Sequence, residues 1–168
     1  MRGIDLKFAA RLVAVSGLLA AAAGAIPAEA TTATTSFQVT ANVQSSCTVS
    51  ATAMAFGTYS LTSGNTATST ITVTCTNGTK ATIALDNGQN GGRGGSFGTR
   101  AMSAGGSNYL GYDIYTSTAY TTVWNTTNTQ TVTSTGSPVN LTAYGRLPSG
   151  QAPATGSYTD TVTVTATF

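Results

Sequence analysis

The amino-acid sequence predicts an all-β fold, an antiparallel sandwich, and three observations lead there. Threonine makes up about a quarter of residues 31–168, and together with valine it fills the chain with β-branched side chains that favour extended backbone. The strong helix formers Leu, Glu, Lys and Arg are scarce. Several short segments alternate apolar and polar residues with period 2 and are separated by Gly, Asn, Ser and Pro, the pattern of strands buried on one face.

The N-terminus stands apart. Arg2, Lys7 and Arg11 make a positive start despite Asp5, the apolar run Leu12 to Ile26 follows, and Ala28-Glu29-Ala30 offers a small-x-small cleavage site. Residues 1–30 therefore read as a signal peptide removed before Thr31. A membrane anchor is the competing reading, but the run is about 15 residues where a span needs ~20. No membrane span is expected after processing, and residues 31–168 amount to one domain.

Within it, Thr31 to Ser36 is a polar lead. Phe37, Val39, Ala41 and Val43 then alternate with Gln38, Thr40, Asn42 and Gln44, giving a strand with one apolar side. A short strand carries Cys47 and Val49, and Thr68 to Thr76 places Ile71, Val73 and Cys75 on one face. Asn77-Gly78 signals a turn into the strand Ala81 to Leu85. The glycine-rich stretch Asp86 to Gly95 is a loop, expected as a mobile surface connection. It holds a single carboxylate, with Phe97 where a calcium loop needs Glu, and no Lys-Ser/Thr follows its glycines as a phosphate cradle would require.

Tyr109 to Tyr115 is an aromatic strand, followed by Thr122-Val123-Trp124. These aromatics read as core and cross-strand pairs, with a sugar- or base-stacking platform as the sharper alternative. Val132 to Tyr144 supplies one or two strands, Arg146 to Ser157 a Pro/Gly loop, and Thr159 to Phe168 a last strand with Val162, Val164, Ala166 and Phe168 on its apolar face. About seven short strands with turns between them suggest a sandwich of immunoglobulin type.

Composition excludes several functions. Past residue 30 the charged residues are Lys80, Arg93, Arg100, Arg146, Asp86, Asp113 and Asp160, too few for a phosphate-binding stripe, so nucleic acid is not an expected partner. There is no histidine, the three acids lie in different segments, and no base of the usual kind stands ready to activate a Ser or Thr. No enzyme, metal site or cofactor is expected. Cys47 and Cys75 are the only cysteines, and an even count in an oxidising compartment reads as a disulfide, two buried free thiols being the alternative.

Four motifs, in order along the chain, carry a resemblance: Phe56-Gly57-x-Tyr59; Leu110-x-Tyr112-x-Ile114-Tyr115 with Val123-Trp124; Tyr144-Gly145-Arg146-Leu147-Pro148; and Gly156-x-Tyr158-x-Asp160-Thr161-Val162-x-Val164-x-x-Phe168. With the paired cysteines, they make residues 37–168 resemble the spore coat protein U domain family, which includes subunits of archaic (Csu-like) chaperone–usher pili. The resemblance implies an incomplete immunoglobulin-like sandwich, residues 46–168, preceded by a lead and donor strand, residues 31–45.

It further implies a groove filled first by a periplasmic chaperone and then by the N-terminal strand of the next subunit. On that expectation Phe37, Val39, Ala41 and Val43 are donor-strand anchors, and Val162, Val164, Ala166 and Phe168 form the groove edge on which the chaperone docks. The implied partners are that chaperone, an outer-membrane usher, and identical or related subunits. The implied role is a secreted pilus component for surface attachment and biofilm formation. A carbohydrate-binding tip adhesin using Tyr109, Tyr112, Tyr115 and Trp124, or a spore-coat or surface-layer protein of the same fold, are the alternatives.

Overall fold

Period-2 alternation decides which side of a half-buried strand turns inward, and among the eight strands of the described residues it is clearest in the second, third, seventh and eighth. The computed structural model describes residues 29–168, so the expected signal peptide falls almost entirely outside the described residues. The strands are β1 (Cys47–Ala51), β2 (Asn65–Cys75), β3 (Lys80–Leu85), β4 (Arg100–Ser103), β5 (Tyr109–Tyr115), β6 (Gln130–Thr133), β7 (Val139–Leu147) and β8 (Val164–Thr167). One 3-10 turn, Gly95–Phe97, interrupts them. No helix among the described residues is long and apolar enough to cross a membrane.

Five strands form one antiparallel sheet in the order β1-β2-β7-β5-β4, and three form a second in the order β6-β3-β8. The long β2 pairs with β7 from Asn65↔Leu147 to Val73↔Val139. Its other edge takes β1, in a register that sets Cys47 opposite Cys75, and these two cysteines are joined in a disulfide.

The inward residues of the two sheets meet in the core. Ile71 and Val73 of β2, Leu110, Tyr112 and Ile114 of β5, and Ala143 and Leu147 of β7 face Ala81, Ile83 and Leu85 of β3 and Val132 of β6. Trp124 lies among them with no exposed surface, its indole N–H donating to the Ile83 carbonyl at 2.9 Å. A buried Trp of this kind anchors by its apolar area and stays only where its N–H finds a partner.

The chain divides into two units between Thr40 and Ala41. In the first, residues 29–40 contain no strand and are exposed. In the second, residues 41–46 are likewise exposed and unpaired as strand, and the sandwich begins at Cys47. The alternating segment Phe37 to Val43 thus has strand patterning and no strand, because a strand exists through its hydrogen-bonded neighbour and the alternation only prepares one face for burial.

The last expected strand is shorter than its pattern: Thr159 bridges Ser103, and regular pairing with β3 covers only Val164–Thr167. The alternation persists through it, with Val162, Val164 and Ala166 half-buried and Thr161, Thr163, Thr165 and Thr167 exposed.

Candidate functional site

Among the four edge strands of the two sheets, β1, β4, β6 and β8, the strands β1 and β8 lie beside the same opening. β8 pairs only with β3 and β1 only with β2, so each carries a row of backbone groups without a strand partner. An open edge is an adhesive surface that a folded protein normally covers, blunts or uses. β1 and β8 come close to each other from opposite sheets, and between them runs a cleft of about 380 Å³. Its floor is core: Ile71, Leu85, Ile114 and Ala143. One wall is Tyr158 to Val162 with Val164, and the other includes Ala51, Met54 and Phe56.

Why the chain shapes a cleft there follows from single residues. At Gly145 a side chain would collide with the Met54 sulfur and come within 2.8 Å of the Phe56 ring. The glycine therefore lets the segment after β1 lie flat on the sheet. Phe56 then packs edge-to-face on Tyr112, ring centres 5.7 Å apart, the arrangement aromatic pairs favour. The Tyr59 hydroxyl donates to the Pro148 carbonyl at 3.0 Å and accepts from the Gln151 N–H at 2.9 Å. Gln151, itself buried, bonds both backbone groups of Gly111 at 2.7 Å. The Phe-Gly-x-Tyr and Tyr-Gly-Arg-Leu-Pro motifs are thus two sides of one seam.

Charge gathers at one end of the cleft. Arg100 on β4 is completely buried; its Nε and Nη2 donate to the Asp86 carbonyl at 2.9 and 2.6 Å, and Nη2 also reaches the Trp124 carbonyl at 2.7 Å. Nη1 lies 3.8 Å from Asp113 and makes no hydrogen bond among the described residues. Burial draws the guanidinium below its ordinary pKa, with Tyr112 and the carboxylates of Asp113, Asp86 and Asp160 working the other way. Burial also pushes the Tyr112 phenol well up, reinforced by its 2.8 Å hydrogen bond to Asp160. These acids, scattered in the sequence, meet around one arginine, a convergence that sequence reasoning did not find. Among the described residues no three His, Cys, Asp or Glu side chains are placed to hold a metal ion.

The glycine-rich loop is not the free connection the sequence suggests. Asp86 accepts from the Gly88 N–H at 2.9 Å, and Asp160 accepts from the Gln89 N–H at 2.9 Å. Burial raises the Asp86 pKa, yet hydrogen bonds from Thr163 and Gly88 and the Arg100 charge leave it below the usual value.

Of the residues singled out in the sequence, Val162 and Val164 line the cleft, Ala166 packs on the core, and Phe168 is 57% exposed. Phe37, Val39 and Val43 are 86, 80 and 79% exposed, and Ala41 is exposed beside them. Tyr112 and Trp124 are buried, so they present no face to a sugar. Tyr109 lies under Arg93 at 5.0 Å and Tyr115 packs edge-on against Tyr120, so the four aromatics make no common platform.

Comparison with known proteins agrees with this architecture. Residues 33–165 match the Spore Coat Protein U domain family. Protein U of Myxococcus xanthus is 34% identical over 158 residues, covering 84% of this chain and 88% of that protein. A chain in the crystal structure of the CsuC–CsuE chaperone–tip adhesion subunit pre-assembly complex, from archaic chaperone–usher Csu pili of Acinetobacter baumannii, shares the fold with a TM-score of 0.57 at 24% identity. The match covers 75% of this chain and 40% of that one.

Proposed function

Because the chain belongs to the spore coat protein U domain family, we propose that it is a structural subunit of an extracellular chaperone–usher pilus that polymerises by donor-strand complementation. The observation that carries this reading is the cleft between β1 and β8, floored by core residues and flanked by an open strand edge. An apolar floor with unpaired backbone beside it is what an added strand completes, through ladder hydrogen bonds and alternate side chains in pockets. The chain also carries a segment patterned to become such a strand, since Phe37, Val39, Ala41 and Val43 are exposed at period-2 spacing. In this reading they enter the cleft of a neighbouring subunit, while Val162, Val164, Ala166 and Phe168 form the edge that receives first a periplasmic chaperone and then that donor. An outer-membrane usher passes the subunits to the cell surface, where the fibre serves attachment and biofilm formation. The role is structural, without catalysis.

Burying a Phe or Val side chain is worth about 1.5–3 kcal/mol, so the anchors and ladder bonds reach on the order of 10 kcal/mol gross, less the cost of ordering the lead. Val39→Asp sets a carboxylate against an apolar floor and is expected to stop elongation while the subunit still folds. Gel filtration and electron microscopy of the mature protein check it: wild type gives a ladder of oligomers and thin fibres, the variant does not. A wild-type chain that stays monomeric after release from any chaperone refutes the pilus reading. The family's tie to Protein U keeps a coat or surface-layer protein as the second reading, for which microscopy would show sheets.

A further inference from the structure

We propose that the Asp86–Gly95 loop, together with Asp160, is the positioning element of the cleft: two carboxylates hold the rim segment 160–163 where an incoming strand meets it. This rests on the cleft accepting a strand. Residues 160–163 line the rim between the Thr159 bridge and the start of β8, and they belong to no strand. Their backbone is held by carboxylates. Asp86 Oδ1 accepts from the Thr163 N–H at 2.8 Å, while the Asp86 N–H donates to the Thr163 carbonyl at 3.1 Å. Asp160 Oδ1 accepts from its neighbour Thr161 at 2.9 Å and from Gln89 at 2.9 Å, and Oδ2 accepts from the Tyr112 hydroxyl at 2.8 Å.

Behind them Arg100 fixes the Asp86 carbonyl to the core. Gly88, at φ +72°, lets the loop approach, since a Cβ there would overlap the Asp160 carboxylate. The chain has seven charged residues beyond residue 30, and four of them, Asp86, Arg100, Asp113 and Asp160, are drawn together here. A loop that merely joined β3 to β4 would need none of them. A rim held in place before binding spares the incoming strand the cost of ordering it, which slows release of that strand.

The test uses the full mature chain, refolded with its disulfide in excess fluorescent peptide of residues 31–45, so that the peptide occupies the cleft. For Asp86→Asn and Asp160→Asn we expect the peptide to leave about tenfold faster than from wild type, the size of one charge-assisted hydrogen bond. Amide exchange should rise at Thr161 and Thr163 and stay unchanged in β2 and β7. Gly88→Ala perturbs the same clamp without removing charge and should behave alike. Thr99→Val removes a 2.5 Å hydrogen bond to Asp113, on the β5 side of the network; it should lower stability with peptide release unchanged, a separation that a purely structural role would not produce. Equal release rates in wild type and the clamp variants, with or without faster exchange at the rim, overturn the proposal and leave the cleft reading standing. Wild type that never binds the peptide overturns both.

Discussion

Gly145→Ala is the sharpest probe of how the cleft wall is built. The new methyl would overlap the Met54 sulfur and sit 2.8 and 3.0 Å from two carbons of the Phe56 ring, where relaxed carbon contacts lie at roughly 3.5–4.0 Å. The ring must therefore retreat by about 0.5–1 Å, against its edge-to-face packing on Tyr112. The thioether of Met54 can swing aside at little cost, whereas Phe56 cannot move without disturbing its packing on Tyr112. Such overpacking costs about 1–3 kcal/mol. Urea unfolding of residues 31–168, in a Val39→Asp background that on the proposed reading blocks polymerisation, reads this as a lower midpoint at unchanged slope. The mechanism makes a second demand: Phe56→Leu should recover part of the loss in the double variant, giving a coupling energy between the two positions. Gly145→Ala without loss, or strict additivity with Phe56→Leu, would refute the seam as the reason for the glycine.

Two further outcomes follow from the structure. Cys75→Ser opens the link between β1 and β2, a separation of 28 residues; on the chain-entropy estimate it costs about 3–4 kcal/mol, and exported yield should fall with the urea midpoint, while an unchanged midpoint would count against the bridge as a stabiliser. Asp86 has a folded pKa below its ordinary value, so the stability it contributes is present above the unfolded carboxylate pKa of about 3.9 and is lost as pH falls through the folded value. The difference in urea midpoint between wild type and Asp86→Asn should accordingly be full at pH 7 and shrink below about pH 4; a difference that does not change with pH would show that the charge is not what matters.

Strands were legible where one face alone is buried. In β2 the alternation of Ile71, Val73 and Cys75 with threonines names both the strand and its inward side, and the same holds for Ala81, Ile83 and Leu85 in β3. The reading of Trp124 and Tyr112 as core rather than platform matches their burial. β4 was not legible. Arg100 begins it from a completely buried position, and a charged residue after a glycine-rich stretch reads as surface, because burying a charge is costly unless partners wait for it. Those partners, a carbonyl of the Asp86 loop and another at Trp124, are 14 and 24 residues away and carry no local signal.

The same limit explains the asymmetry between the two halves of the proposed joint. The donor half is written in sequence, since period 2 in Phe37 to Val43 prepares an apolar face whether or not anything meets it. The acceptor half is a deficit, a place where β8 and β1 each lack a neighbour, and a deficit has no residues of its own. What the sequence does hold is the machinery around it. Gly145 lowers one wall, Asp86 and Asp160 hold the other, and Ala143 keeps the floor deep between them. Small and acidic residues at those places are a poor choice for closing a sandwich, because a larger apolar side chain at Ala143 would fill the cleft and stabilise the lone domain. On the proposed reading, their presence leaves the cleft to be filled from outside. On that ground Ala143→Leu should stabilise the isolated subunit by partial self-filling and, in the same molecule, weaken its uptake of the residue 31–45 peptide.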